Sequence, residues 1–278
     1  MRALLVLCLV APLDRGGFGW RRDVALYWYG LFTGAVWCTP FFAGFLIDRW
    51  LGLRRAVFLG AGLLLAGYVM LLGALLLPDA RTFLGSTTLR ALCAGTDAPL
   101  GTWSTIEVAV RCLESAVRTD TEVPFEGTLG ALRWTATLLW VGLGLLIVGN
   151  AFFKPSVALL VGMGYPGRAA IREQAYLLYY LAIYAAVLVA GVGVGTIGER
   201  VGWSAGLVVS CAFICVALAF CVSKRRMIAE LASGSGTTVP DVVEPRLSTG
   251  GALLYVGAHA LIAMLFWAAY EQSGGLMT

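Results

Sequence analysis

Charge is what this sequence has least of. Only 13% of its 278 residues are charged and 59% are hydrophobic, whereas a soluble domain carries about 25% charged residues. A chain so poor in polar side chains cannot coat a water-facing globule. Lysine is scarcer still: Lys154 and Lys224 are the only two, and neither follows a glycine. The Gly-Lys-Ser/Thr phosphate loop of an ATP-driven pump is therefore excluded. A single histidine, His259, excludes every multi-histidine zinc motif. The net charge of +4 is weak and dispersed, unlike the basic footprint of a nucleic-acid binder. No combination of nucleophile, base and metal ligands stands out, which makes an enzyme the poorest reading.

What the chain has instead is apolar length. Its mean hydropathy is +0.84, and the apolar residues come in runs of about 18 or more, as a bilayer core of roughly 30 Å demands. Full spans are read at 27–47, 56–77, 134–164, 175–197, 203–222 and 249–272. The opening MRALLVLCLVAP is too short to span and reads either as a signal peptide or as the second half of a membrane helix. Residues 79–133 turn polar, with seven acids and five arginines, and form an insertion between spans. The stretch 224–248 starts Lys-Arg-Arg and becomes a Gly/Ser/Thr/Pro-rich linker, a composition expected to be mobile. Nine Lys/Arg residues in the short loops at 48–55, 165–173 and 224–246 face four on the other side. The excess puts the linker in the cytoplasm and the insertion outside.

Several features have plain packing explanations. Cys8, Cys38, Cys211, Cys215 and Cys221 lie in apolar runs and read as small packing residues. Gly193-Val-Gly-Thr-Ile-Gly198 matches G-x-G-x-x-G, but no strand precedes it, so close helix packing is the better reading. Gly30 and Gly34 invite the same reading. Lys154 and Glu271 are different, being the only normally ionised residues inside the spans. Each costs roughly 2.5–3.5 kcal/mol at helix centre. Either they snorkel to an interface, or both face an internal cavity, one holding an anion and the other a proton. Pro155 directly follows Lys154 and is expected to kink that helix.

Four stretches carry a resemblance. FFAGFLIDRWLGLRRAVFLG at 41–60 resembles the G-x-x-x-D-R-x-G-x-R-R loop of the major facilitator superfamily. Gly149-Asn-Ala-Phe-Phe-Lys-Pro-Ser156 resembles G-x-G-x-F-K-P-N, the fourth-helix signature of the proton-dependent oligopeptide transporter family. Tyr179 to Tyr184, followed by Ile197 to Trp203, is similar to the family's fifth-helix F-Y-x-x-I-N region. Phe266-Trp-Ala-Ala-Tyr-Glu-Gln272 is similar to its seventh-helix F-W-x-x-x-E-Q. Met1 to Val10 resembles the stretch that follows E-x-x-E-R-F-x-Y-Y in the family's first helix, a motif this chain lacks.

The resemblance implies an all-α integral membrane fold: the N-terminal six-helix bundle of a major facilitator, with its first helix truncated, plus part of helix 7. The implied divisions are 1–78 (partial helix 1, helices 2–3), 79–133 (outward insertion), 134–223 (helices 4–6), 224–248 (cytoplasmic linker) and 249–278 (truncated helix 7). It implies proton-coupled uptake of small peptides across the cell membrane, with the proton as coupling ion, no other cofactor, and a missing C-terminal half as partner. Lys154 would bind the solute carboxylate and share in coupling, Glu271 would be the protonation switch, and Asp48, Arg54 and Arg55 would form a conformational latch. Trp37, Tyr184 and Trp267 would line the substrate site. Trp37 stands where the family has a pocket tyrosine, Tyr184 where it has the asparagine that contacts the peptide backbone, and Ala186 where it has a glycine. Another carboxylated solute, or a truncated protein that transports nothing, are the alternatives.

Within the insertion, Ser104-x-x-Glu107 reads as a capping box and predicts a helix over 105–117. Cys93 and Cys112 are its only cysteines. A bridge between them closes a loop of about 18 residues and contributes about 3 kcal/mol, whereas two thiols contribute nothing. Alkylation of the non-reduced protein followed by mass spectrometry separates the two: a bridge shields both cysteines until reduction, and labelling of both beforehand rules it out.

Overall fold

In a computed structural model of the chain, the described residues are 2–11, 17–18, 20, 22–77, 110, 128–165, 167–233, 251, 258 and 262. They fall into two units, Met1–Gly236 and Thr237–Thr278. The second unit is described only at Gly251, Ala258 and Ile262, all helical.

The first unit is built of helices. They are α1 (Arg2–Val10), α2 (Arg22–Leu46), α3 (Leu53–Leu76), α4 (Thr128–Met163), α5 (Ala169–Val189), α6 (Gly195–Arg200), α7 (Trp203–Ser223) and α8 (Arg225–Ser233). Wider π turns close α2 at Ile47–Leu51 and join α5 to α6 at Ala190–Val194. Arg22–Leu51, Leu53–Leu76, Arg133–Met163, Ala169–Arg200 and Trp203–Ser223 are each long and apolar enough to cross a bilayer. Lipid offers backbone N–H and C=O groups no partners, so a chain of this composition satisfies them within helices. The chain is a multi-pass membrane protein.

Two boundaries differ from the sequence reading. Helix α4 begins at Thr128, inside the polar stretch assigned to 79–133, because helical hydrogen bonding continues beyond the apolar run. The stretch 224–248, read as a mobile linker, opens with α8, an amphipathic helix whose Ile228 is buried. Before α4 the insertion, with its Ser104–Glu107 capping box, lies outside the described residues apart from Val110, which is helical and half-buried; Cys93 and Cys112 lie outside them too.

The chain after α1 folds back on it. Phe18 N–H donates to the Cys8 carbonyl at 3.1 Å and Trp20 N–H to Leu9 at 2.8 Å, satisfying carbonyls that a helix end leaves without partners. At the other end of α2, Gly52 N–H closes the π turn on the Ile47 carbonyl at 2.9 Å. Gly52 has φ +72°, a conformation that strains any residue with a Cβ. That conformation accounts for the glycine between Asp48 and Arg54.

The most extensive contact joins α3 to α4, and glycine sets its closeness. A Cβ added to Gly60 would lie 2.6 Å from Phe153 N and 2.9 Å from the Gly149 oxygen. One added to Gly67 would lie 2.9 Å from the Gly142 oxygen. Gly60 thus faces Gly149 and Gly67 faces Gly142, seven residues apart on each helix and in opposite chain directions. In lipid, where burial of apolar surface drives nothing, this close backbone packing is a main source of helix association. Gly198 serves similarly, since its Cβ would meet the Trp203 ring at 2.8 Å. Gly30, Gly34 and Gly193 meet nothing within 4 Å, so the packing role read for these three is absent among the described residues.

Gly60→Ala is expected to cost about 1–3 kcal/mol through overpacking, whereas Gly30→Ala leaves stability unchanged or slightly raised. Thermal unfolding of the two variants in the same detergent measures the contrast. Equal melting temperatures would show that α3 and α4 are not held by this seam.

Candidate functional site

Lys154 lies far along α4, and α2 packs across that helix. The Lys154 ammonium sits over the Trp37 ring, 4.2 Å from its centroid, with both residues half-buried. A cation at this distance from an indole face gains about 0.5–2 kcal/mol, the upper end where water is excluded. Pro155 follows within the same helix, which continues to Met163. Having no N–H, Pro155 cannot satisfy the Ala151 carbonyl one turn back. Next to it Ser156 is fully buried, and its hydroxyl has no hydrogen-bond partner among the described residues.

Four residues before Lys154, Asn150 lines an interior cavity of ≈ 170 Å³. Its walls come from α1, α2, α3, α4 and α7, from Phe18 of the segment returning over α1 and from Val194 of the second π turn, with Phe32, Tyr68, Leu146, Trp203 and Ser210 among them. The Ser210 hydroxyl donates to the Gly206 carbonyl at 2.9 Å. The Asn150 Nδ2 is buried and has no hydrogen-bond partner among the described residues. Sequence reasoning quoted Asn150 only as part of a motif and missed the cavity, which seven separate segments assemble.

At the bundle end away from the 47–55 turn, three indoles meet. Trp28 and Trp140 have centroids 4.5 Å apart, and Trp20 and Trp140 6.1 Å. Trp20 belongs to the segment that returns over α1 and is only 3% exposed.

The remaining sequence-predicted residues are dispersed. Tyr184 stands on α5, 56% exposed, on a helix with no buried residue. Asp48 in the π turn and Arg54 and Arg55 in the first turn of α3 are exposed. Opposite them, α8 forms the other bank of a groove lined by Arg54, Arg55, Glu230 and Ser233. The helix there was not foreseen, although Met227, Ile228 and Leu231 at helical spacing signal it. Trp267 and Glu271 lie outside the described residues. The structure therefore brings together Lys154 and Trp37 from the predicted set, and groups Asp48, Arg54 and Arg55 at one turn. No group of three or more His, Cys, Asp or Glu side chains capable of holding a metal occurs among the described residues.

Comparison with known proteins identifies relatives of the chain. The chain is 22% identical over 206 residues to a peptide transporter of Yersinia enterocolitica, covering 74% of this chain and 29% of the relative. It is 24% identical over 251 residues to dipeptide and tripeptide permease B of Shigella dysenteriae, covering 90% and 38%. The chain thus spans well under half the length of these relatives. Among solved structures, a variant of the peptide transporter POT in complex with alafosfalin superposes with a TM-score of 0.58 at 22% identity, over 95% of this chain and 42% of that one. That likeness shows a shared fold. The family model that matches residues 54–245 takes in the Arg54–Arg55 turn, the glycine seam and the Lys154 helix, and on that match the chain belongs to the POT family.

Proposed function

We propose that this chain forms part of a secondary transporter that takes up di- and tripeptides together with protons by alternating access. The observation that carries the reading is the Lys154 ammonium poised over Trp37 at 4.2 Å, at the level of an apolar bundle where a charge is costly. An aromatic face bears no formal charge, so Trp37 steadies the ammonium without itself neutralising it, and a solute carboxylate still gains an ion pair there. Relatives named as peptide transporters and permeases of di- and tripeptides support peptides as the solute.

In this reading the spans are helices 2–6 of a major facilitator half, with residues 79–133 facing outward and 224–248 in the cytoplasm of the cell membrane. Glu271 is the protonation switch. Desolvation favours its neutral form and a nearby arginine its charged form, so binding and release of a proton can reset the pairing and let one bundle rock against the other. Asp48, Arg54 and Arg55 hold one closed state at the groove faced by Glu230. Tyr184, in place of the family's asparagine, favours a second solute class: carboxylated molecules other than peptides, which need Lys154 but no backbone contact on α5.

Lys154→Gln is expected to weaken binding of a dipeptide about tenfold to a hundredfold, the loss of one charge-assisted hydrogen bond, while leaving binding of the C-terminally amidated dipeptide unchanged. Calorimetry with both ligands tests this, and equal effects on the two would remove Lys154 from carboxylate recognition. In the whole transporter, Glu271→Gln is expected to abolish uptake driven by a pH gradient and to spare counterflow exchange, because the neutral amide imitates the protonated acid. Undiminished gradient-driven uptake by the variant would contradict a switch at Glu271.

A further inference from the structure

The interior cavity and its asparagine are not used by the carboxylate site, yet they lie beside it. Asn150 and Lys154 are four residues apart on α4, so they share a face and are separated by a rise of about 6 Å. Leu146, four residues earlier, lines the same cavity as Asn150. The neighbouring helix contributes to both places, with Val36 in the cavity wall and Trp37 under the ammonium. One face of α4 therefore carries a cation, then an amide, then an apolar hollow.

A buried amide N–H without an acceptor is unfavourable, and such groups in native structures call for a partner. Apart from Tyr68, Asn150 and Ser210, the cavity wall is made of apolar residues and Gly206. What fits is therefore a molecule presenting one strong hydrogen-bond acceptor next to apolar bulk. Its volume of ≈ 170 Å³ is close to that of cavities known to take up a benzene ring.

We propose that Asn150 is a specificity-determining residue that donates a hydrogen bond from Nδ2 to the carbonyl of the solute's last peptide bond, with the C-terminal side chain in the cavity. The proposal rests on the reading that Lys154 holds the solute carboxylate. In a dipeptide the carboxylate and the peptide carbonyl are one residue apart, about 3.8 Å between successive Cα atoms, and the flexible lysine stem takes up the difference from the spacing of the two positions on α4. Asn150 thus supplies from α4 the amide that position 184 on α5 lacks. The preferred solute class follows: a free carboxylate, an amide one residue back, and an uncharged C-terminal side chain no larger than one ring.

The test uses the full chain in lipid nanodiscs and three probes: glycyl-phenylalanine, its thioxo analogue, whose C=S is a poor acceptor, and its C-terminal amide. The unsubstituted protein is expected to bind the oxo form about three- to tenfold tighter than the thioxo form. Asn150→Leu, with the same branching and number of side-chain heavy atoms, is expected to bring that ratio to about one while keeping the preference for acid over amide. A ratio measured on one variant is insensitive to how much of it is folded, so partial unfolding does not obscure the result. If Asn150→Leu keeps the original oxo-to-thioxo ratio while Lys154→Gln erases the acid-to-amide preference, the role of Asn150 is overturned and the Lys154 site stands. If no probe shows a dependence on Lys154, the carboxylate site fails and the Asn150 assignment with it.

Discussion

Everything in the bundle is arranged around the near-contact of two backbones. In water a helix pair is held by the apolar surface it hides, but lipid tails are as apolar as leucine and give no such gain. Cohesion must come from dispersion at short range, and Gly60, Gly67, Gly142 and Gly149 provide the range by removing side chains from the α3–α4 crossing. With these two helices drawn together, Phe153 is set against Gly60, which fixes the rotation of α4 just before Lys154. The register of the seam thus decides which way the cation and Asn150 face.

That rotation explains how an ammonium can be kept at depth. Lys154 has a π face at 4.2 Å and half its surface covered, so part of the cost of desolvation is offset before any solute arrives. Below it the packing loosens into the cavity, although the same helices are in near-contact a few residues away. Close packing on one side of α4 and a hollow on another are consistent with a scaffold that holds a site rather than fills it.

The overall class was legible from composition alone, because 59% hydrophobic residues in long runs leave no soluble alternative. Five of the six spans were legible too, to within several residues, since their ends are marked by Arg22, the 48–55 turn and the Gly202–Trp203 junction, while the one read at 249–272 lies almost wholly outside the described residues. Lys154 was visible as a charge where charges are scarce, and Trp37 came only through resemblance. The contact between them was not legible, because it depends on the α2–α4 crossing and not on local pattern. Nor was the seam, although glycines at a spacing of seven on two successive spans were a usable signal. Gly30 and Gly34 had the more familiar spacing and yet meet no close neighbour among the described residues, because a small residue marks a contact only when another helix arrives there. The cavity could not be foreseen, since a void is a property of all its wall segments together and belongs to no one of them.

Helix α8 has a consequence for how force enters the bundle. Its contacts are with α3 and α4 as well as with α7, and its Ile228 is buried. The chain is therefore held to the bundle as far as Ser233 and not only to the end of α7, a further reach of about 13 Å for nine residues. A pull on Ser233 is delivered through α8 to α3 and α4 as well as to α7. The same two helices that make the tightest joint in the protein are thus the ones that bear the load.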